Sequence, residues 1–102
     1  MTNEELDKAV AEAQGWSEDW LDESKGLGLW IKSLGGESIG MGTYHPSTNW
    51  QQAGELLEKY KIDLSFDGED CLAEISGNYF AYADTPQRAI CLAVLAAEGV
   101  EI

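Results

Sequence analysis

The sequence predicts an α+β fold. A three-stranded antiparallel meander packs with three helices, in the manner of an α/β/α sandwich. Three observations carry this expectation. Two consecutive short segments, 62–67 and 71–76, alternate along the chain with the period of half-buried strands, and a hairpin signal joins a third to them. Helical apolar stripes with capping signals lie on either side of that region. The chain has 102 residues, enough for one domain with one core.

The first helix spans residues 3–14. Thr2 and Glu5 form a capping-box pattern, in which hydroxyl and carboxylate each serve a backbone N–H of the first turn. Leu6, Ala9, Val10 and Ala13 then form one apolar stripe, and Gly15 supplies a stop. Residues 15–46 read as an irregular Gly- and Trp-rich insert, because they hold seven of the eleven glycines and three of the four tryptophans. Within it, Ser17 to Glu23 fits a short acidic helix and Leu29-Trp30-Ile31 a short strand, while Gly35 through Gly42 has no period and reads as loop. The second helix covers 49–60. Thr48 and Gln51 supply its capping pattern, and Trp50, Ala53, Leu57 and Tyr60 its buried side. Gly54 in its middle costs about 1 kcal/mol of propensity relative to Ala, which a close backbone contact would explain.

The strands are 61–67, 71–76 and 79–83. Ile62, Leu64 and Phe66 alternate with polar residues, and Gly68 to Asp70 turns the chain. That turn pairs Phe66 with Cys71 and Leu64 with Ala73. Gly77-Asn78 reads as a two-residue hairpin, which pairs Ile75 with Phe80 and Ala73 with Tyr82. Both turns then agree on one apolar face that includes Phe80 and Tyr82. The last helix, 86–98, opens at Thr85-Pro86. It is apolar at every position from Ala89 to Ala97, so it is deeply buried or sandwiched.

Composition excludes several functions. Nineteen acidic residues against six basic ones give a net charge of −13, which repels nucleic acid and anionic membranes and suits a basic partner. No apolar run is long enough to span a membrane, and the acidic start is unlike a signal peptide. His45 is the single histidine and the two cysteines fall on core faces. Neither a zinc site nor a nucleophile with its base is expected, and no cofactor. The glycine pairs at 26–28 and 35–42 lack the residues that complete a phosphate loop. Asp67-Gly68-Glu69-Asp70 lacks the alternating spacing of a calcium loop. It reads as an acidic turn.

One constellation invites a function. Trp16, Glu18, Asp19, Trp20, Asp22 and Glu23 set two aromatics four residues apart among four acids. The ordinary reading is that the tryptophans cap the core and the acids are solvated. The functional one is an interface of aromatic anchors ringed by charge. Asp67, Glu69 and Asp70 form the second candidate patch.

Tyr44-His45-Pro46-Ser47-Thr48-Asn49-Trp50, Gly54-Glu55-Leu56-Leu57-Glu58 and Ile62-Asp63-Leu64 together resemble the phage ABA sandwich domain family. Thr85-Pro86-Gln87-Arg88-Ala89-Ile90 is similar to the start of that family's last helix, and helix one with Gly15-Trp16 also fits. The resemblance spans roughly residues 44–99 and implies a small sheet between helices. It brings no catalytic residues. With the charge, it leads us to expect a non-enzymatic phage protein of the host cytoplasm. Its partner would be a basic host protein or nucleoprotein complex, bound without direct contact to nucleic acid. An anti-CRISPR protein mimicking nucleic acid is the most specific form. The alternatives are a sponge for a small signalling nucleotide, with Lys25, Lys32 and Arg88 as its cations, and a homo-oligomeric accessory or structural protein.

Overall fold

The computed structural model describes residues 2–25, 27–32, 38–40 and 43–100, with Glu23, Leu27, Lys32 and Asp67 described by backbone alone. The expected loop at 35–42 lies outside these residues, apart from 38–40.

Helix α1 is Asn3–Ala13. Its capping box forms as expected, with Glu5 N donating to Thr2 Oγ1 and Thr2 N to Glu5 Oε1. Helix α3, Pro86–Ala97, starts on Thr85, whose hydroxyl accepts from Arg88 N. The cap of helix α2, Trp50–Tyr60, is Asn49 rather than Thr48: Asn49 Oδ1 accepts from Gln52 N at 2.9 Å. Thr48 Oγ1 instead donates to the His45 carbonyl. The buried side of α2 is Ala53 and Leu56, and Trp50 is exposed. A Cβ built on Gly54 meets nothing within 4 Å, so no close contact explains that glycine.

The insert is a second sheet. Strand β1 (Trp16–Asp22), strand β2 (Leu27–Lys32) and the short β3 (Ser38–Gly40) pair antiparallel in that order, with a 3-10 turn at Glu23–Lys25. The acidic helix expected at 17–23 is therefore a strand. Ser17, Asp19 and Leu21 face solvent, while Glu18 and Trp20 border a groove instead of a core. Neither face of β1 carries an apolar row, so the segment has no hydrophobic alternation to read.

The expected meander is strands β4 (Ile62–Asp67), β5 (Asp70–Ile75) and β6 (Tyr79–Ala83). Its first hairpin has the expected register, Phe66 opposite Cys71 and Leu64 opposite Ala73. The second is slipped by one residue. Its loop is Ser76 to Asn78, with Ser76 (φ 55°) and Gly77 (φ 71°) both left-handed, and it pairs Ile75 with Tyr79 and Ala73 with Ala81. A one-residue slip exchanges the faces of a strand. Ala81 and Ala83 therefore face α3, and Phe80 and Tyr82 are exposed. Packing accounts for this choice. Helix α3, which packs on β6, is rich in buried small residues such as Ala89 and Ala93, and large rings from β6 would force helix and sheet apart. Phe66 keeps its register but is also exposed, at the end of its strand.

Helix α3 is the centre of the core. It packs on β5 and β6 on one side and on α1 and α2 on the other. Ile90, Cys91, Val94 and Leu95 are fully buried in one cluster with Leu6, Val10 and Ala73. The fold is of the expected α+β class, and its layering includes the insert as a second three-stranded sheet. In order of contact it runs β4–β6, then the helices, then β1–β3 against α1, and Phe80 and Tyr82 leave the outer side of β4–β6 open. Cys71 and Cys91 are buried free thiols, and burial pushes the Cys91 thiol up to about 12.

Candidate functional site

A groove of about 850 Å³ lies between the first turns of α1 and the sheet β1–β3. Its carboxylates are Glu4 and Asp7 from α1 and Glu18 from β1. Its aromatic lining is Trp20, Trp30 and Tyr44, and His45 also borders it. The segment 43–48 is pinned by both neighbouring helices. Gln14 Nε2 donates to Tyr44 Oη at 2.6 Å. His45 N donates to Gln52 Oε1 at 2.7 Å, and Gln52 Nε2 to the Thr43 carbonyl at 2.6 Å. Trp16 stacks on Tyr44 with centroids 6.2 Å apart. Burial pushes the Tyr44 phenol up to about 12.

Asp7 is the unusual group. It is 8% exposed, and its Oδ1 accepts the Ser47 N–H at 2.8 Å. Burial raises its carboxyl above the ordinary range, opposed by the Ser47 hydrogen bonds and by the charges of His45 and Arg88. Among the described residues the ammonium on the groove is Lys8, which goes to Glu18 at 3.0 Å and to Glu12 at 4.0 Å. That pairing, with help from Trp20 Nε1, holds the Glu18 carboxyl below its usual range. His45 Nδ1 is buried with no hydrogen-bond partner among the described residues.

The candidate residues are thus divided. Glu18 and Trp20 meet on the groove. Trp16 lies behind Tyr44, lining a smaller cavity of about 240 Å³ with Gln52 and Lys59. Asp19 is exposed on the other side of β1. Asp22 has a local structural role, accepting from Ser24 N and Oγ at 3.1 and 2.7 Å and pairing with Lys25 at 3.9 Å. The side chains of Glu23 and Asp67 lie outside the described residues. Glu69 and Asp70 are exposed at the β4–β5 turn. Since Cys71 pairs with Ala83, this turn sits at the end of the sheet where β6 leads into α3. Sequence reasoning missed Glu4, Asp7, Trp30, Tyr44 and His45 as lining residues. A signal for Asp7 existed: Leu6, Asp7, Val10 and Ala11 are the buried side of α1, so a carboxylate stands among helically spaced apolar positions.

Fold and groove together define a small acidic α+β protein with a groove lined by carboxylates and aromatic rings. The family model described as "Bacteriophage P22, NinX" matches residues 1–98, and the chain belongs to that family. The phage character implied by the expected resemblance is thus shown, through the NinX family. No curated protein matches the chain. Among the described residues no helix is long and apolar enough to cross a membrane.

Proposed function

We propose that the protein is a non-catalytic phage accessory protein that binds a basic host protein in the host cytoplasm. It would occupy a surface that otherwise holds nucleic acid. Inhibition of a defence complex, CRISPR effectors included, is the sharpest form of this reading. The kinship with phage ABA sandwich domains belongs to the same proposal.

The observation that supports it is how the cations are used. Lys8, Lys25 and Arg88 are each in an ion pair with a carboxylate, namely Glu18, Asp22 and Asp84. Exposed acids such as Asp19, Glu69 and Asp70 remain to present negative charge. This field attracts a Lys/Arg-lined surface. It gives little support to a nucleotide sponge, because the cation at the adjoining cavity, Arg88, pairs with Asp84 and also donates to Asn3 Oδ1.

The test is affinity capture from nuclease-treated host lysate, followed by reconstitution with the purified partner. The expected complex weakens with salt, since screening acts within about 10 Å at 0.1 M. It is competed by the partner's own nucleic acid, and it weakens when Asp19, Glu69 and Asp70 are reversed to lysine. A complex indifferent to salt, competitor and reversal overturns mimicry.

A further inference from the structure

We propose that the groove between α1 and β1–β3 receives an arginine side chain of the basic partner. The inference deepens the reading above and rests on it for the identity of the partner, though the site itself can be tested without one.

A guanidinium carries five N–H donors and no acceptor, and its flat faces stack on aromatic rings. The groove is built as the complement. It offers carboxylate acceptors at Asp7, Glu4 and Glu18, and Trp20 and Trp30 as ring walls. Trp20 is 46% exposed at the rim and so has ring surface to give, whereas Trp30 is 4% exposed and fixed in place. His45 lines the same groove.

The charge arrangement points the same way. Lys8 is drawn to the Glu18 side by its 3.0 Å contact, while Asp7 Oδ1 accepts the Ser47 N–H and the charges of His45 and Arg88 also act on it. Asp7 therefore remains a largely desolvated acceptor, and desolvation strengthens the attraction for an arriving cation. At about 850 Å³ the groove has room for the side chain together with flanking peptide. An anion would meet three carboxylates there, with the Lys8 ammonium already paired.

The test uses N-acetyl-L-arginine amide, with the indole N–H signals of the ¹⁵N-labelled protein as readout. The expected result is a saturable shift at Trp20 and Trp30. Trp50, exposed on α2 and outside the groove's lining, is the internal control. N-acetyl-L-citrulline amide, the neutral isostere, and sodium chloride at matched ionic strength should not reproduce the shift, and the lysine amide should bind several-fold more weakly. Asp7→Asn should weaken arginine binding about tenfold, as expected for loss of one charge-assisted hydrogen bond, with the rest of the spectrum unchanged. Trp20→Ala gives a second variant at a half-exposed position.

Absence of saturation, equal binding of citrulline or lysine, or shifts spread equally to Trp50 would each overturn the site. Because no partner is needed, such a failure leaves the basic-partner reading standing. Arginine binding in a protein that captures no basic partner would leave the site and remove that reading.

Discussion

Replacing Asp7 separates what a buried carboxylate does for the fold from what it does for the groove. Asp7→Asn keeps an oxygen to accept the Ser47 N–H, now bonded at 2.8 Å in a buried setting, and removes the charge. Asp7→Ala removes both. The two variants share the absence of charge, so their difference reports the orphaned N–H, about 1–3 kcal/mol. In a domain of this size each kcal/mol moves the melting temperature by roughly 4–8 °C. Asp7→Asn should match or exceed the parent at pH 7, and Asp7→Ala should melt several degrees below Asp7→Asn.

The pH dependence has a definite sign. Burial raises the folded-state carboxyl of Asp7 above its unfolded value of 3.8. The folded state therefore binds this proton more readily than the unfolded chain does. The group's stabilisation is fully present below 3.8 and is lost as pH rises through the folded value. Any advantage of Asp7→Asn should therefore be greatest near neutrality and shrink on acidification. Glu5 and Glu18, whose carboxyls are lowered by Thr2 and by Lys8, act in the opposite sense, but they cancel in a comparison of parent and variant. Urea titrations at pH 7 and pH 4 make the measurement. If Asp7→Asn loses as much as Asp7→Ala at pH 7, the charge itself stabilises the fold and the desolvation argument is wrong.

Two further substitutions test the packing. Gly54→Ala should raise stability by about 1 kcal/mol in denaturant titration, because the helix gains propensity and the new methyl meets nothing within 4 Å. Ala81→Asp should cost several kcal/mol by placing a charge against α3, whereas Phe80→Asp, at a residue 62% exposed, should cost far less; the reverse order would restore the unslipped hairpin.

What is legible in the sequence is local. The capping box of α1, the Thr85-Pro86 start of α3 and the Gly68 turn are each encoded within a few residues, and all three form. The second hairpin departs from its expected register because Ser76, not a usual left-handed residue, takes φ 55° beside Gly77. Interpreting Gly77-Asn78 as a two-residue loop then displaces all of β6. The sheet β1–β3 is illegible for a different reason. Trp16 to Asp22 carries acids toward water on one face and toward the groove on the other, so its alternation is geometric and not hydrophobic. The groove inherits that obscurity, since its acids come from α1 and β1 and are brought together only by tertiary packing.

That packing raises the question of what holds β1–β3 against α1. The direct ion pair, Lys8 to Glu18, joins two substantially exposed side chains, with relative exposures of 57% and 31%. Such pairs contribute about 0–1 kcal/mol and are screened by salt. Trp30, 4% exposed, contributes more, for truncating a buried aromatic costs about 3–5 kcal/mol. The stack of Trp16 on Tyr44 adds about 0.5–1.5 kcal/mol beyond its area. The sheet is therefore fastened by rings, and the ion pair serves mainly to draw Lys8 toward Glu18, leaving Asp7 to its bond with Ser47. Glu18→Gln should then leave hydrogen exchange in β1 and β2 almost unchanged, while Trp30→Ala should accelerate it severely in those strands and less in β4–β6, whose contacts run to α3 and α2. Equal acceleration by Glu18→Gln would make the ion pair the clasp and the rings passengers.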